Sequence, residues 1–124
     1  MEDKLARCGV MSYEQFKERT IKITKGEYKP KEDEPKIWFE SLNAAAQILN
    51  EDNMRLLKII NETDPESITA LARSTGRKKG NLSRTLKKLQ DYGIVSFEKR
   101  QKAKKPIANY HRFSIEYGTH SVAP

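Results

Sequence analysis

The sequence predicts a mainly α-helical fold with a small β wing: a winged helix-turn-helix, preceded by an N-terminal helix and a short strand or arm. Two short amphipathic helical patterns are separated by a glycine-containing break at residues 74–76. The second pattern carries Leu82, Leu86 and Leu89 on one face. Residues 67–90 contain seven Lys or Arg and no Asp or Glu. A strand that starts at residue 94, a basic loop and a returning strand at residues 112–117 follow, an order of elements that is typical of a DNA-binding winged helix.

The second helix, expected over residues 77–91, would present its polar face to the major groove of DNA. Reading a base requires paired donors or acceptors: an arginine can bind guanine O6 and N7, and an asparagine can bind adenine N6 and N7. Arg84 and Asn81 fit these roles, and Ser83 is short enough to contact a base or a phosphate. These three residues are the predicted base readers.

Basic residues near the ends of this helix are predicted to bind phosphates, which fixes the register without reading sequence. The preceding helix adds hydroxyl groups near its start, where backbone N–H groups also favour an anion. The predicted phosphate contacts are Ser67, Thr69, Arg77, Lys78, Lys79, Lys87 and Lys88. The wing, a basic loop expected over residues 99–105, would reach the backbone or the adjacent minor groove. Its predicted contacts are Arg100, Lys102, Lys104 and Lys105.

Charge is divided unevenly along the chain, whose formal net charge is +7. Residues 1–66 contain 11 Lys or Arg against 14 Asp or Glu, a balance of −3. Residues 67–117 contain 13 Lys or Arg against 3 Asp or Glu, a balance of +10. A basic half joined to a mildly acidic half indicates a polyanion-binding surface on one side of the protein.

The first helix is predicted to begin just after Met11. Ser12 and Gln15 form a capping box at its start, and Gly26 is suited to end it. Residues 20–24 alternate in a way that also fits a strand, so that alternative stays open. Met11 is an alternative to the first residue as the natural start of the protein.

Beyond a charged linker, residues 37–39 form a short apolar strand or arm. Two helical patterns follow, the first capped by Ser41 and the second with Asp52 as its candidate cap. The expected organisation is a disordered extension at residues 1–11, an N-terminal helix and charged linker at 12–36 that forms a dimer or partner arm, a winged-helix DNA-binding domain at 37–117 and a flexible tail at 118–124.

The N-terminal arm is more apolar than a lone winged-helix domain requires. Operator-level specificity usually needs two half-sites, so a homodimer is expected, with a partner protein as the alternative. The residues predicted to form this interface are Tyr13, Phe16, Ile23, Trp38 and Phe39. An equally open alternative is that Trp38 and Phe39 cover the domain's own core.

Composition and motifs disfavour several other classes of protein. No apolar run approaches the ~18 residues that span a bilayer, so no membrane partner is expected. No glycine-rich phosphate loop or pair of catalytic carboxylates is present, so neither an enzyme activity nor a cofactor is expected. Cys8, His111 and His120 do not cluster as metal ligands. The single cysteine excludes an intrachain disulfide and suits a reducing cytoplasm.

Five segments carry a resemblance to known proteins: residues 12–17 (SYEQFK), 26–30 (GEYKP), 35–41 (PKIWFES), 75–77 (TGR) and 81–86 (NLSRTL). With them the chain resembles a family of small predicted prokaryotic transcriptional regulators, within the broad winged-helix class of MarR-type and ArsR-type repressors. The resemblance implies a regulator that binds double-stranded DNA, with repression as the default action. Some members of this family are antitoxins, so the resemblance also implies, by analogy alone, a toxin partner and autoregulation as an alternative.

A winged helix that binds RNA or another protein is a further alternative. Sequence-specific RNA recognition usually stacks unpaired bases on exposed aromatic side chains. The basic faces carry no aromatic side chain, since Tyr92, Phe97, Phe113 and Tyr117 are expected in the core. This pattern favours duplex DNA.

Overall fold

The computed structural model describes residues 4–119, which divide into two compact units. The helical unit comprises Lys4 and residues 48–111, and the sheet unit comprises residues 5–47 and 112–119 of the described range. The predicted boundary between residues 36 and 37 is therefore wrong, because it falls inside the sheet unit. Residues 1–3 of the predicted extension and 120–124 of the predicted tail lie outside the described residues.

Helices and strands succeed one another over the whole described range. In chain order they are β1 (Leu5–Val10), α1 (Tyr13–Thr24), β2 (Ile37–Phe39), α2 (Leu42–Ile48), α3 (Glu51–Thr63), α4 (Ile68–Thr75), α5 (Lys79–Asp91), β3 (Val95–Arg100), β4 (Ala103–Ala108) and β5 (Arg112–Glu116). The protein is thus a small α/β fold with more β structure than the sequence predicted. Between residues 4 and 119, no helix combines the length and the hydropathy needed to cross a membrane.

The sheet unit is built on a three-stranded parallel sheet in the order β2-β1-β5. In the central strand, Cys8 lies opposite Ile37 on one side and Ile115 on the other. Ala6 and Cys8 are buried, as expected for one face of a central strand. The predicted disordered extension over residues 1–11 is therefore wrong, since most of it forms the strand that joins the other two.

β1 was not predicted because it contains Gly9, and a glycine weakens the sequence pattern of a strand. A Cβ atom placed on Gly9 would lie 2.3 Å from Trp38 Cζ3, so the indole ring packs directly on the glycine backbone. Phe39, on the same edge strand, is fully buried. The prediction that Phe39 contacts a dimer partner is therefore wrong, and the alternative that it covers the protein's own core is correct.

α1 begins with the predicted capping box. Ser12 Oγ accepts from the Gln15 amide at 3.2 Å, and Gln15 Oε1 accepts from the Ser12 amide at 3.1 Å. The helix continues through Thr24 and Gly26 follows with a left-handed φ of 76°, so the strand alternative for this segment is wrong. None of the residues of α1 is buried.

A polar cluster packs beside the indole ring in the sheet unit. The Arg19 guanidinium lies 5.4 Å from the Trp38 ring centroid and 5.8 Å from that of Tyr28, and it donates to Glu34 at 3.2 Å. Glu34 also accepts from the Tyr28 hydroxyl and, at 3.0 Å, from the Lys31 amide. Burial raises the pKa of the Glu34 carboxyl, but these hydrogen bonds outweigh burial and hold the pKa below its ordinary value.

The pH dependence of the sheet unit should change in Glu34→Gln. A carboxyl whose folded pKa is lowered stabilises the fold above its ordinary pKa of 4.5, and loses that contribution as the pH falls through the folded value. Wild type should therefore lose stability below that pH more steeply than the variant. Urea unfolding followed by fluorescence of Trp38, the single tryptophan, measures this. The exposed Glu32→Gln is the control, and parallel profiles for wild type and E34Q would contradict the assignment.

In the helical unit, α3 packs against α4 and β4, and α5 packs against α4 and β3. Ser67 caps α4 by accepting from the Ala70 amide at 3.0 Å, and Gly76 ends the helix with a left-handed φ of 69°. Asn50 caps α3, so the prediction of Asp52 as its cap is wrong. These caps place a short turn between α4 and α5 where the sequence predicted one.

The strands β3 and β4 form an antiparallel hairpin joined by a tight turn at Gln101 and Lys102. The predicted basic loop over residues 99–105 is therefore wrong, because most of these residues belong to the two strands. The predicted returning strand is β5, which pairs with β1 in the sheet unit instead. β4 was hard to predict because it contains Pro106, which cannot donate to a ladder but is tolerated in an edge strand, here opposite Phe97.

Candidate nucleic-acid interface

Helix α5 has one buried apolar face and one exposed basic face. Leu82, Leu86 and Leu89 are fully buried and hold the helix against the rest of the helical unit. The exposed face carries Asn81, Arg84, Lys87 and Lys88. This is the division between faces that the sequence predicted, although the helix itself begins at Lys79 rather than Arg77.

The predicted base readers lie close together on the exposed side of α5. Asn81 and Arg84 are exposed, and Ser83 is half-buried. The Arg84 guanidinium donates to Asn81 Oδ1 one turn earlier in the helix. A guanidinium has five N–H donors, so this bond uses a minority of them. The pair therefore presents several hydrogen-bonding groups at one place on the helix surface.

The predicted phosphate residues before and at the start of α5 differ in their surroundings. Lys78 and Lys79 are exposed, and Lys78 occupies the N-cap position without a capping hydrogen bond from its side chain. The first backbone N–H groups of α5 thus lack a side-chain acceptor from the cap, which suits them to an anion. Arg77 is half-buried and donates to Thr85 Oγ1 at 3.3 Å, so it also ties the turn to α5.

The other predicted phosphate residues are also partly engaged. Lys87 forms an exposed ion pair with Asp91 at 2.8 Å, which is worth about 0.3–0.5 kcal/mol in such helical pairs and so yields readily to a phosphate. Lys88 and Thr69 are exposed. Ser67 is half-buried and its Oγ already caps α4, which leaves its hydroxyl proton for a phosphate.

The hairpin presents cations on its exposed residues. Arg100 pairs with Glu98 at 3.2 Å, Lys102 is exposed at the turn, and Lys104 Nζ lies 5.9 Å from the Phe97 ring centroid. Lys99, which the prediction omitted, is exposed and lies directly opposite Lys104 in the ladder. Strand alternation and hairpin register are the signals that would have found it. Like charges at such a position destabilise a hairpin, and a bound polyanion would relieve that repulsion.

Lys105 is the one predicted hairpin contact that the structure contradicts. Its side chain is only 7% exposed, and Nζ lies 2.7 Å from Asp64 Oδ1 and 3.6 Å from Glu66 Oε1. Nζ also donates to the Asp64 and Pro65 carbonyl oxygens, at 3.3 and 3.4 Å. The hydrogen bond to Asp64 raises the pKa of Lys105 above its ordinary value. Lys105 therefore anchors the hairpin to the loop between α3 and α4 and is not a DNA contact.

Lys105→Gln should loosen the hairpin, because the amide cannot replace the charge that faces two carboxylates. We expect a lower melting temperature and faster amide hydrogen exchange in β3 and β4. Lys104→Gln is the matched control at the neighbouring, exposed position, and it should leave both quantities near wild type. Equal exchange rates in the two variants would contradict the anchoring role of Lys105.

The described residues show no arrangement suited to metal binding or to nucleophilic catalysis by a thiol. Among residues 4–119, no cluster of three or more His, Cys, Asp or Glu side chains is placed to hold a metal ion. Burial raises the pKa of the Cys8 thiol to about 11, so its nucleophilic thiolate form is scarce at neutral pH. The exposed face of α5 and the hairpin remain the strongest candidate site.

The chain matches the model of the HVO_A0114 family over residues 48–115. That span is more than half of the chain and includes α3, α4, α5 and both strands of the hairpin. The chain belongs to the HVO_A0114 family. No curated protein matches the chain. In this HVO_A0114 family member, the matched segment therefore contains the whole basic face of α5 and the cations of the hairpin.

Proposed function

We propose that the protein is a sequence-specific, double-stranded DNA-binding regulator of transcription that acts as a repressor. In this proposal the helical unit is a winged helix, with α5 in the major groove. The hairpin of β3 and β4 is the wing, which follows the backbone or enters the adjacent minor groove. The resemblance to MarR-type and ArsR-type repressors supports the proposal and itself stays a prediction.

The observation that carries this proposal is the two-faced character of α5. Three leucines on one face are completely buried, whereas the opposite face exposes an amide, a guanidinium and two ammonium groups. A basic helix face of this kind, backed by a core, supplies both charge for phosphates and hydrogen-bonding groups for base edges. The low content of acidic residues in residues 67–117 lets this charge act over a wide surface.

The proposed roles follow from exposure and geometry. Arg84 and Asn81 read bases, since both are exposed on α5 and lie within hydrogen-bonding distance of each other. Lys78, Lys79 and the first backbone N–H groups of α5 bind phosphate at the start of the helix. The remaining proposed phosphate and wing contacts are Lys87, Lys88, Lys99, Arg100, Lys102 and Lys104.

Selection of bound duplexes from a random pool tests the proposal directly. We expect a recurring motif, and a two-fold symmetric one if the protein binds as a dimer. If roughly five phosphates per subunit are neutralised, log K should fall with log salt at a slope of about −4 to −5 per subunit. Binding without sequence preference would contradict base reading, and negligible binding at low salt would overturn the proposal as a whole.

We propose that two chains pair through the exposed face of α1. Tyr13 is 71% exposed and Phe16 is 42% exposed, whereas Ile23 and Trp38 are half-buried and contribute less. No residue of α1 is buried, and exposed apolar side chains grouped on one helix mark a site of interaction, here proposed to be with a second copy of the chain.

Phe16→Glu should convert a dimer to a monomer of half the mass, measured by light scattering. Lys25→Glu, an exposed position just beyond the helix, is the control and should stay dimeric. A monomeric wild type at the concentrations used for DNA binding would contradict this pairing.

The same exposed face of α1 favours a second candidate function, that of an antitoxin which binds a toxin partner and autoregulates its operon. Co-purification with the product of a neighbouring gene would support it. RNA binding gains one observation, because Tyr117, which was expected in the core, is 64% exposed. Tyr117 belongs to the sheet unit rather than to the unit that carries α5. Competition between duplex DNA, single-stranded RNA and structured RNA distinguishes these functions.

A further inference from the structure

The helical unit contains a cavity of about 560 Å³ on the face of α3 that carries Met54, Arg55 and Lys58. All of its lining residues belong to the helical unit. Its volume is within the range of about 300–1,000 Å³ that is typical of small-molecule sites. None of the residues proposed above to bind DNA lines it, so the cavity is a separate feature of the unit.

The walls of the cavity combine an apolar surface with cations. Met54 and Leu57 provide aliphatic surface from α3, and Tyr110 provides an aromatic ring from the segment after β4. Arg55 and Lys58 are three residues apart, so their side chains lie on the same side of the helix. A ligand seated here would meet an apolar surface and two neighbouring positive charges.

Each of these two cations is held by an exposed ion pair. Arg55 pairs with Asp52 at 2.7 Å, and Lys58 pairs with Glu62 at 3.9 Å. Exposed pairs at this spacing contribute only about 0.3–0.5 kcal/mol each, so a ligand anion can replace them at little cost. Glu51 also lines the cavity, so its charged lining residues sum to +1 once the ligand has displaced Asp52 and Glu62, and this sum disfavours a multiply charged anion.

We propose that this cavity binds a small organic monoanion with an apolar body. The carboxylate, or an equivalent anionic group, lies between Arg55 and Lys58, where both side chains donate hydrogen bonds to it. The apolar body packs on Met54, Leu57 and the Tyr110 ring. The two features act together, since the charge orients the ligand and the buried apolar surface provides most of the affinity.

Three probes of matched shape test this site: 4-cyclohexylbutanoate, its neutral amide and the corresponding amine. Calorimetric titration of the full chain should show the carboxylate binding about tenfold or more tightly than the amide, with the amine weakest. NMR shifts on carboxylate addition should include the Met54 methyl group. Equal binding of all three probes, or no binding by any at millimolar concentration, would overturn the proposal.

A double variant, R55Q/K58Q, should reduce the preference for the carboxylate over the amide to near unity. Met54→Trp, which fills the cavity, should weaken both probes. The control is Arg73→Gln on α4, an exposed cation that does not line the cavity, and it should leave the preference unchanged. An undiminished preference in R55Q/K58Q would overturn the anion site. Because no DNA is present, the outcome is independent of the proposed regulatory function.

Discussion

Leu86→Ala is expected to lower the free energy of unfolding of the helical unit by about 2–5 kcal/mol, the usual cost of such a cavity in a core. Leu86 is 0% exposed and lies between Leu82 and Leu89 on the buried face of α5. Domains of this size are stable by only about 5–15 kcal/mol, so the variant should be partly unfolded or close to it. Urea unfolding followed by the helical circular-dichroism signal measures the loss.

Leu42→Ala is the matched control, since Leu42 is 44% exposed on α2. Surface substitutions of this kind usually change stability by about 0.5 kcal/mol or less. A loss in Leu86→Ala as small as that in Leu42→Ala would show that the leucine face of α5 is not the core of the helical unit. The orientation of the basic face, which depends on that core, would then need a different explanation.

Arg84→Ala is expected to weaken binding to the selected duplex by about 1–3 kcal/mol, which corresponds to about 5- to 150-fold in Kd. The guanidinium is exposed and its hydrogen bond is to Asn81, so the melting temperature should change little. Specificity should relax at one base pair, because a bidentate contact discriminates guanine from the other bases. Fluorescence anisotropy with duplexes varied at each position measures both effects.

Lys88→Ala is the control for Arg84→Ala, since it removes an exposed charge from the same helix. It should weaken all duplexes alike and reduce the salt slope by about one, as expected for a single phosphate contact. Equal losses on selected and random duplexes for both variants would contradict the assignment of Arg84 to base reading. The phosphate-binding part of the proposal would survive that result.

Local patterns predicted several features of the helices well. The capping box at Ser12, the left-handed Gly76 and the leucine face of α5 each depend on residues within a few positions of one another. The exposed positions of the candidate site, Asn81 and Arg84 among them, follow from the same helical periodicity. Such features are readable from sequence because helix geometry places neighbours in sequence next to each other in space.

Strand pairing was the main source of error. β4 contains lysines and a proline, so its strand pattern is weaker than that of β5. The sequence therefore predicted β5, and not β4, as the partner of β3. β1 has a glycine at the position where a distant indole ring packs, and nothing in its own sequence shows that need. The sequence alone does not distinguish Lys105 from the lysines around it. Only its position in β4 shows that its side chain pairs with Asp64.

The sequence alone determined the amphipathic helices, the capping box of α1, the glycine that ends α4 and the separation of charge along the chain, since these depend on residues close in sequence. Only the tertiary structure decided that β1 lies between β2 and β5, where Arg7 of β1 contacts Glu116 of β5. It also decided that Phe39 and Lys105 are buried and that α1 is exposed. The physical reason is that parallel pairing and burial depend on segments far apart in the chain, whose partners no local pattern specifies.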